Sequence, residues 1–367
     1  MLFVLINVCN NLKLSLFNIF NTMRNFGIKS KLAQEFVGFT GTNKEFRDLF
    51  LEIKKSGANY HNSYTACDIR RAKLKLLGIN ESDKELVIPP IINCRMAKGG
   101  TGKTTICGGI ASTLAMLGYK VLMFDGDPQA SLTGLFGIDW ASESITHVGD
   151  LLLKHHRKEK HNIEDAVRPI YEGNMLDLIA SDISLANCDS WLMTVTNREF
   201  IFKKFLDDNK EFFSKYDVIL IDSAPSTNLL TNALMCACSK ILAVVWLDGQ
   251  SIKAMHVLAS NINELNEAFH NTGFHLDVHI VANGYHPSYA SCKDAVASLY
   301  SNYKTKLNNV VIPHSASFMR QVKLFNSETS GPVLENEPNS HAARTIIDLS
   351  KSLVKEYDVK LAGTMAV

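Results

Sequence analysis

Three groups of residues in the 367-residue chain have types and spacing suited to phosphate chemistry. The first is Lys98-Gly99-Gly100-Thr101-Gly102-Lys103-Thr104-Thr105. Glycines let successive backbone N–H groups turn toward an anion, and a helix opening near Lys103 adds its positive dipole end. In such a loop Lys103 supplies a point charge to the β- and γ-phosphates of a nucleotide, Thr104 a hydroxyl to Mg2+, and Thr105 stands near the α-phosphate. The general phosphate-loop pattern starts with a glycine where this chain has Ala97, and a second lysine, Lys98, stands at the entrance. One lysine suffices for an ordinary loop; a second makes most sense if it reaches a phosphate that its own chain does not hold. The other two groups are carboxylates, Asp125-Gly126-Asp127 and Asp222, each after an apolar run.

These residues need a scaffold that gathers the ends of several strands. Residues 86–97 read as a strand leading into the loop, and residues 104–117 as an apolar helix stopped by Gly118. Residues 120–125 and 216–222 have the length and composition of buried strands ending in a carboxylate, the second preceded by a helix at 199–213. Beyond them the pattern alternates: helix 228–239, strand 240–247, helix 251–270, strand 276–282, helix 290–303, strand 309–312 and a closing helix 342–356. Such alternation requires right-handed crossovers and a mostly parallel sheet covered on both faces, a doubly wound α/β fold. Ligands of these sheets bind beyond the carboxyl ends of the strands, where Asp125, Asp127 and Asp222 fall. Residues 143–195 are less regular, with a helix at 148–156, a strand at 175–180, and a basic cluster (His155, His156, Arg157, Lys158, Lys160) that reads as a solvated turn.

With its entrance lysine, the loop resembles the deviant Walker A box of the ParA/MinD family of ATPases. Residues 125–131 resemble the family's A-prime box, 216–222 its Walker B strand, and 313–320 with 331–334 its closing pattern, so the likeness runs over residues 86–357. The resemblance implies a P-loop ATPase using ATP and Mg2+. Gly99, Gly100, Thr101, Gly102, Lys103, Thr104 and Thr105 then cradle the phosphates, Thr104, Asp125 and Asp222 serve the metal, and Asp127 positions the attacking water. It further implies that Lys98 crosses into the partner's site of an ATP-bridged homodimer, acting much as an arginine finger does. Asn283 falls where relatives contact the adenine, although a turn-forming Asn before Gly284 explains it equally well.

Relatives bind DNA through the surface that here carries Lys304, Lys306, Arg320 and Lys323, in a stretch (295–327) without an acidic residue. The implied function is DNA partition: non-specific DNA binding as an ATP dimer, stimulation by a ParB-type partner, and a cytoplasmic, nucleoid-associated location. Two other members of the superfamily fit less well. A MinD-type membrane ATPase should end in a basic amphipathic helix, which residues 358–367 lack. A metal-cluster carrier needs dedicated cysteines, whereas Cys236 and Cys238 sit in an ordinary apolar helix pattern. A DNA-binding repressor with a dead nucleotide site has no need of intact Lys98, Lys103, Thr104, Asp127 and Asp222; a DNA-binding autorepressor whose nucleotide acts only as a switch stays as an alternative.

Residues 1–85 precede this region as a small helical extension. Apolar content is 46%, charged content 20% and net charge +1, the balance of a soluble globular chain. The extension nevertheless holds a surplus of +7 in residues 1–75, leaving −6 for the rest. Eight cysteines without a C-x-x-C pair suggest neither zinc nor a disulfide framework and fit a reducing compartment. Residues 1–26 are apolar but broken by asparagines, and match neither a secretory signal nor a spanning helix; Met23 offers a second start, an amphipathic dimerisation helix being the alternative. Residues 30–56 read as helical around a break at 38–42. Thr65 and Asp68 form a capping box and Gly78 a stop, which predicts a short basic helix with Ile69, Ala72, Leu76 and Leu77 inward and Arg70, Arg71, Lys73 and Lys75 outward. It resembles the helix-turn-helix region of the larger plasmid partition ATPases, which makes Arg70 and Arg71 candidate DNA contacts.

Overall fold

In the computed structural model, which describes residues 23–51, 63–321 and 331–363, the apolar runs lie side by side as strands. A two-residue pair, β1 (Ile28–Lys29) and β2 (Ser63–Tyr64), belongs to the extension. The others are β3 (Ile91–Arg95), β4 (Val121–Gly126), β5 (Val167–Tyr171), β6 (Leu176–Ile179), β7 (Val218–Ser223), β8 (Lys240–Trp246), β9 (Asp277–Tyr285) and β10 (Ile312–Pro313). Their order across the main sheet is β10-β9-β8-β3-β7-β4-β6-β5, with all pairings parallel except β5 against β6. Every residue of β3, β4 and β7 is buried, as strands covered on both faces require. Pro169 lacks an N–H and sits on β5, at the edge of the described sheet, where a missing donor is tolerated.

The longer helices are α1 (Ser30–Val37), α2 (Asn43–Leu51), α3 (Ala66–Leu77), α4 (Lys103–Met116), α5 (Val148–His156), α6 (Ile201–Asp208), α7 (Leu229–Cys236), α8 (Gly249–Ala268), α9 (Ala290–Tyr303) and α10 (His341–Glu356). Two hydrophobic clusters flank the sheet. One gathers α4 and α10 around Ile92, Cys94, Met123 and Leu220, and the other α6, α7 and α8 around Phe124, Ile219 and Ile241. The helix expected at 199–213 breaks at Asn209, whose φ of −115° and ψ of 31° leave the α region.

The extension is bolted to the rest of the chain. Ile28, Phe36, Phe46, Tyr64, Ile69 and Ala72 belong to the same cluster as α4 and α10, so the apolar core is continuous across residue 85. Arg24 pairs with Glu335 at 2.5 Å, and Glu35 with Arg344 and Lys351 of α10. Helix α3 has the expected capping box at Thr65–Asp68 and a left-handed Gly78. Its orientation corrects the sequence reading. Arg70 is 3% exposed and Lys73 points inward, while Leu76 and Leu77 are 47% and 55% exposed. The reason is electrostatic. Arg70 donates to Asp217 (2.5 Å), Glu81 (2.7 Å) and the Gly118 carbonyl, and Lys73 to the Leu117 carbonyl, so both cations meet the negative C-terminal end of α4. Burial works against the charge on Arg70, but Asp217 and Glu81 more than offset it and hold its pKa above the ordinary value. Lys84, Lys120 N–H and Ala362 N–H also converge on Asp217. Arg70 is therefore an internal tie and leaves the set of candidate DNA contacts, whereas Arg71 is exposed.

Candidate nucleotide site

The glycine-rich loop joins the carboxyl end of β3 to α4, which opens at Lys103 with Gly102 as its cap. Gly100 and Gly102 have φ of 73° and 84°, backbone angles that favour glycine. Gly102 is also short of room, since a Cβ there would lie 2.5 Å from Asn283 Nδ2. That amide donates to the Thr101 carbonyl at 2.8 Å, tying the end of β9 to the phosphate loop. Asn283 is thus brought to the loop, and it is buried. Lys103 Nζ donates to the Lys98 carbonyl at 3.3 Å, and Thr104 and Thr105 follow in the first turn, where helix N–H groups lack intrahelical partners. Burial pulls the Lys103 pKa down, and Asp222 acts in the opposite direction.

Asp125 and Asp222 are register partners on β4 and β7. Their surroundings differ. Asp125 Oδ1 accepts from Asp127 N–H (3.1 Å), and Oδ2 from the N–H (2.9 Å) and hydroxyl (2.7 Å) of Thr133. It is fully occupied in shaping the loop that carries Asp127, and burial raises it to about 6. Asp222 is 1% exposed and, among the described residues, neither of its oxygens has a hydrogen-bond partner. Burial first and the negative Asp125 second push it up to about 8; Thr104 lies near enough to oppose this without meeting hydrogen-bond geometry. A buried carboxylate with two bare oxygens beside a threonine and a lysine is suited to a divalent cation and costly without one. The residues present therefore fit Mg2+ at Asp222 and Thr104, and an anion at the loop. Asp127 is half-buried, its Oδ1 accepting from Gln129 N–H at 2.9 Å and its carbonyl from Ser181 Oγ at 2.9 Å.

Two contacts were not expected from the sequence. Lys98 Nζ is held within its own chain by Asp248, at 2.8 and 3.1 Å, and by Ser251 Oγ at 3.2 Å. Asp248 also caps α8 by accepting from Ser251 N–H at 2.6 Å; the Asp-x-x-Ser spacing before a helix was the available signal. Arg95, a charge inside an apolar strand run, is buried under the loop that follows β7. A groove of about 1190 Å³ lies at the opposite, amino-terminal ends of β3, β8 and β9, lined by Ile91, Phe200, Ser239, Phe269 and Phe274; none of the phosphate-loop residues borders it.

The candidate DNA residues lie away from the loop. Lys306 pairs with Asp277 (2.6 Å), Arg320 with Glu337 (2.7 Å), and Lys304 sits over the Tyr300 ring at 5.3 Å. Acids beyond the 295–327 stretch thus answer two of its cations. Lys323 lies outside the described residues. Among the described residues no helix is long and apolar enough to cross a membrane.

Comparison with known proteins agrees with this geometry. The AAA domain family matches residues 90–276. The chain is 30% identical over 250 residues to the cell division protein PomZ of Myxococcus xanthus, covering 68% of this chain and 73% of PomZ. It is 26% identical over 269 residues to the sporulation initiation inhibitor protein Soj of Bacillus subtilis, covering 72% and 97%. Among solved structures, the ATP complex of Cyanothece McdA superposes with a TM-score of 0.60 at 18% identity, over 73% of this chain and 97% of McdA, a likeness of fold. The phosphate loop, the mostly parallel sheet and these relatives together place the chain in the family of ParA-type P-loop ATPases.

Proposed function

We propose that this protein is an Mg2+-dependent ATPase of DNA partition, which dimerises around ATP, binds DNA non-specifically in that state and is stimulated by a ParB-type partner. The observation that carries the reading is Asp222, buried with both oxygens bare beside Lys103 and Thr104. The McdA neighbour was solved with ATP, which is consistent with it. In this reading Gly99, Gly100, Thr101, Gly102, Lys103, Thr104 and Thr105 bind the phosphates, and Asn283 fixes the loop from the base side. Thr104 and Asp222 would hold Mg2+, which would supply charge neutralisation at the β- and γ-phosphates. Asp125 acts on the metal site indirectly by holding the Asp127 loop. Asp127 orients the attacking water, and Lys98 leaves Asp248 to reach the partner's triphosphate.

DNA contact is assigned to Lys304, Lys306, Arg320 and Lys323, with Arg71 on the extension. Lys306 and Arg320 must exchange their carboxylate partners for phosphates, so one subunit binds weakly. A dimer presents two such sets to one duplex, and affinity grows with the number of phosphates neutralised. The test is binding to random and promoter duplexes with ATP, with ADP and without nucleotide. Affinity for random DNA should rise with ATP alone, and equal affinity in all three conditions refutes the switch.

A further inference from the structure

Arg95, the last residue of β3, is 0% exposed, and among the described residues no carboxylate pairs with it. Its donors go to carbonyls instead. Nη1 donates to Met96 O (2.9 Å), Ala224 O (2.8 Å) and Pro225 O (2.9 Å), and Nη2 to Ser226 O (3.1 Å) and Thr227 Oγ1 (3.4 Å). Nε has no partner. Burial pulls the group down to about 10, so it stays protonated at neutral pH. Two residues earlier, on the same face of β3, Asn93 Oδ1 accepts from Ser223 Oγ at 2.7 Å. Both side chains grip the segment that leaves Asp222 and enters α7.

A buried cation answered only by neutral oxygens is a poor source of stability, because its lost hydration is not matched by an opposite charge. It is a good source of geometry. The guanidinium is a planar fork with fixed donor directions, so four successive residues that accept from it are held in one turn. That turn begins two residues after Asp222. A cation held by Asp222 would answer the charge of the β- and γ-phosphates, which would place the segment leaving Asp222 on the side of the phosphate that ATP has and ADP lacks.

We propose that Arg95 is a positioning residue of the nucleotide site, pre-setting residues 224–227 for the triphosphate end of the nucleotide. The proposal rests on the ATP reading above. It predicts selectivity: loosening the turn before binding means that ATP, and not ADP, must order it.

The test titrates the full-length chain with fluorescent ADP and a fluorescent non-hydrolysable ATP analogue, each with Mg2+, in wild type, Arg95→Met and Arg95→Lys. Hydrogen exchange at amides 226–228 is followed without nucleotide. Arg95→Met should weaken the triphosphate by about tenfold, equivalent to about 1.4 kcal/mol, on the order of ordering one residue, and ADP by less than about twofold. Exchange at 226–228 should quicken. Arg95→Lys keeps the charge but has a single ammonium head, so its selectivity should fall between the two and its exchange should still quicken. A purely structural role predicts a lower Tm with both nucleotides weakened alike, and that result overturns the proposal. So does wild-type selectivity and exchange in Arg95→Lys, the variant that carries the test if Arg95→Met does not fold. Failure of wild type to bind either nucleotide would instead remove the ATP reading itself.

Discussion

Breaking the contact between Lys98 and Asp248 should strengthen the ATP dimer. In the ATP dimer proposed above, Lys98 cannot reach a partner's phosphate while its ammonium lies 2.8 Å from Asp248, so each subunit would have to release the pair on dimerising. The two side chains are 27% and 39% exposed, which places the contact among partly solvated ion pairs worth about 0.5–1 kcal/mol. Two pairs are released per dimer, about 1–2 kcal/mol in all, or about 5- to 30-fold in the dimer Kd. Asp248→Asn is the suitable change. It removes the charge but keeps an oxygen for Ser251 N–H, whereas alanine would also uncap α8 at a cost of about 1 kcal/mol. Sedimentation equilibrium with Mg2+ and a non-hydrolysable ATP analogue would give the Kd of wild type and variant. A Lys98→Ala background supplies the control, since Asp248→Asn should add nothing once the lysine is gone. An unchanged or weaker dimer in Asp248→Asn would show that the intrachain pair does not compete with dimerisation.

Further outcomes rest on the same geometry. Lys103→Ala should abolish ATP binding in a fluorescent-nucleotide titration, while Asp127→Ala should keep binding and dimerisation yet lose turnover by about a hundredfold or more. Asp222, raised to about 8 by burial, binds a proton in the metal-free fold that the unfolded chain has lost by neutral pH; its contribution to stability is complete below the ordinary carboxylate range and is lost as pH rises through about 8. Melting without metal should therefore show a lower Tm at pH 8 than at pH 6 and a larger Mg2+·ATP shift at pH 8, and Asp222→Asn should flatten both. Arg70→Met should cost about 3 kcal/mol in denaturant unfolding by leaving Asp217 short of its best partner, with a change under about 0.5 kcal/mol contradicting the tie. Arg320→Ala should weaken all DNA sequences alike and lower the salt slope by about 0.9 per contact, which a salt series on random duplex would measure.

The phosphate loop, α4, β4 and β7 were legible because each is a continuous stretch whose pattern states its own structure. Gly102 needs its positive φ locally, and Asp125 and Asp222 stand at the carboxyl ends of their own apolar runs. What the sequence hid depends on partners far along the chain. Arg70 turned inward because Asp217, 147 residues away, meets it at the end of α4. Helical periodicity places Arg70 on the face of Ile69 and Lys73 as readily as it places Leu76 and Leu77 there, and only the acid decides. Lys98 is matched by Asp248, 150 residues on, and the acid-free stretch 295–327 is answered by Asp277 and Glu337 outside it. The antiparallel β5 was missed because Pro169 and its charged neighbours do not look like a strand until an edge is available.

The Asp217 junction also constrains how such chains can be recombined. A module that closes its own core can be exchanged between relatives by joining sequences at a linker, and residues 80–85 look like one in sequence. Here the seam runs through a buried ion cluster, with Arg70 and Lys84 on one side and Asp217, Lys120 and Ala362 on the other. A foreign extension spliced at residue 85 that lacks a cation at the place of Arg70 would bury the carboxylate of Asp217 short of its charge at the root of β7, the strand that carries Asp222. Extension and ATPase are thus expected to be inherited together, and a chimera should fold only when the replacement brings its own cation to that carboxylate.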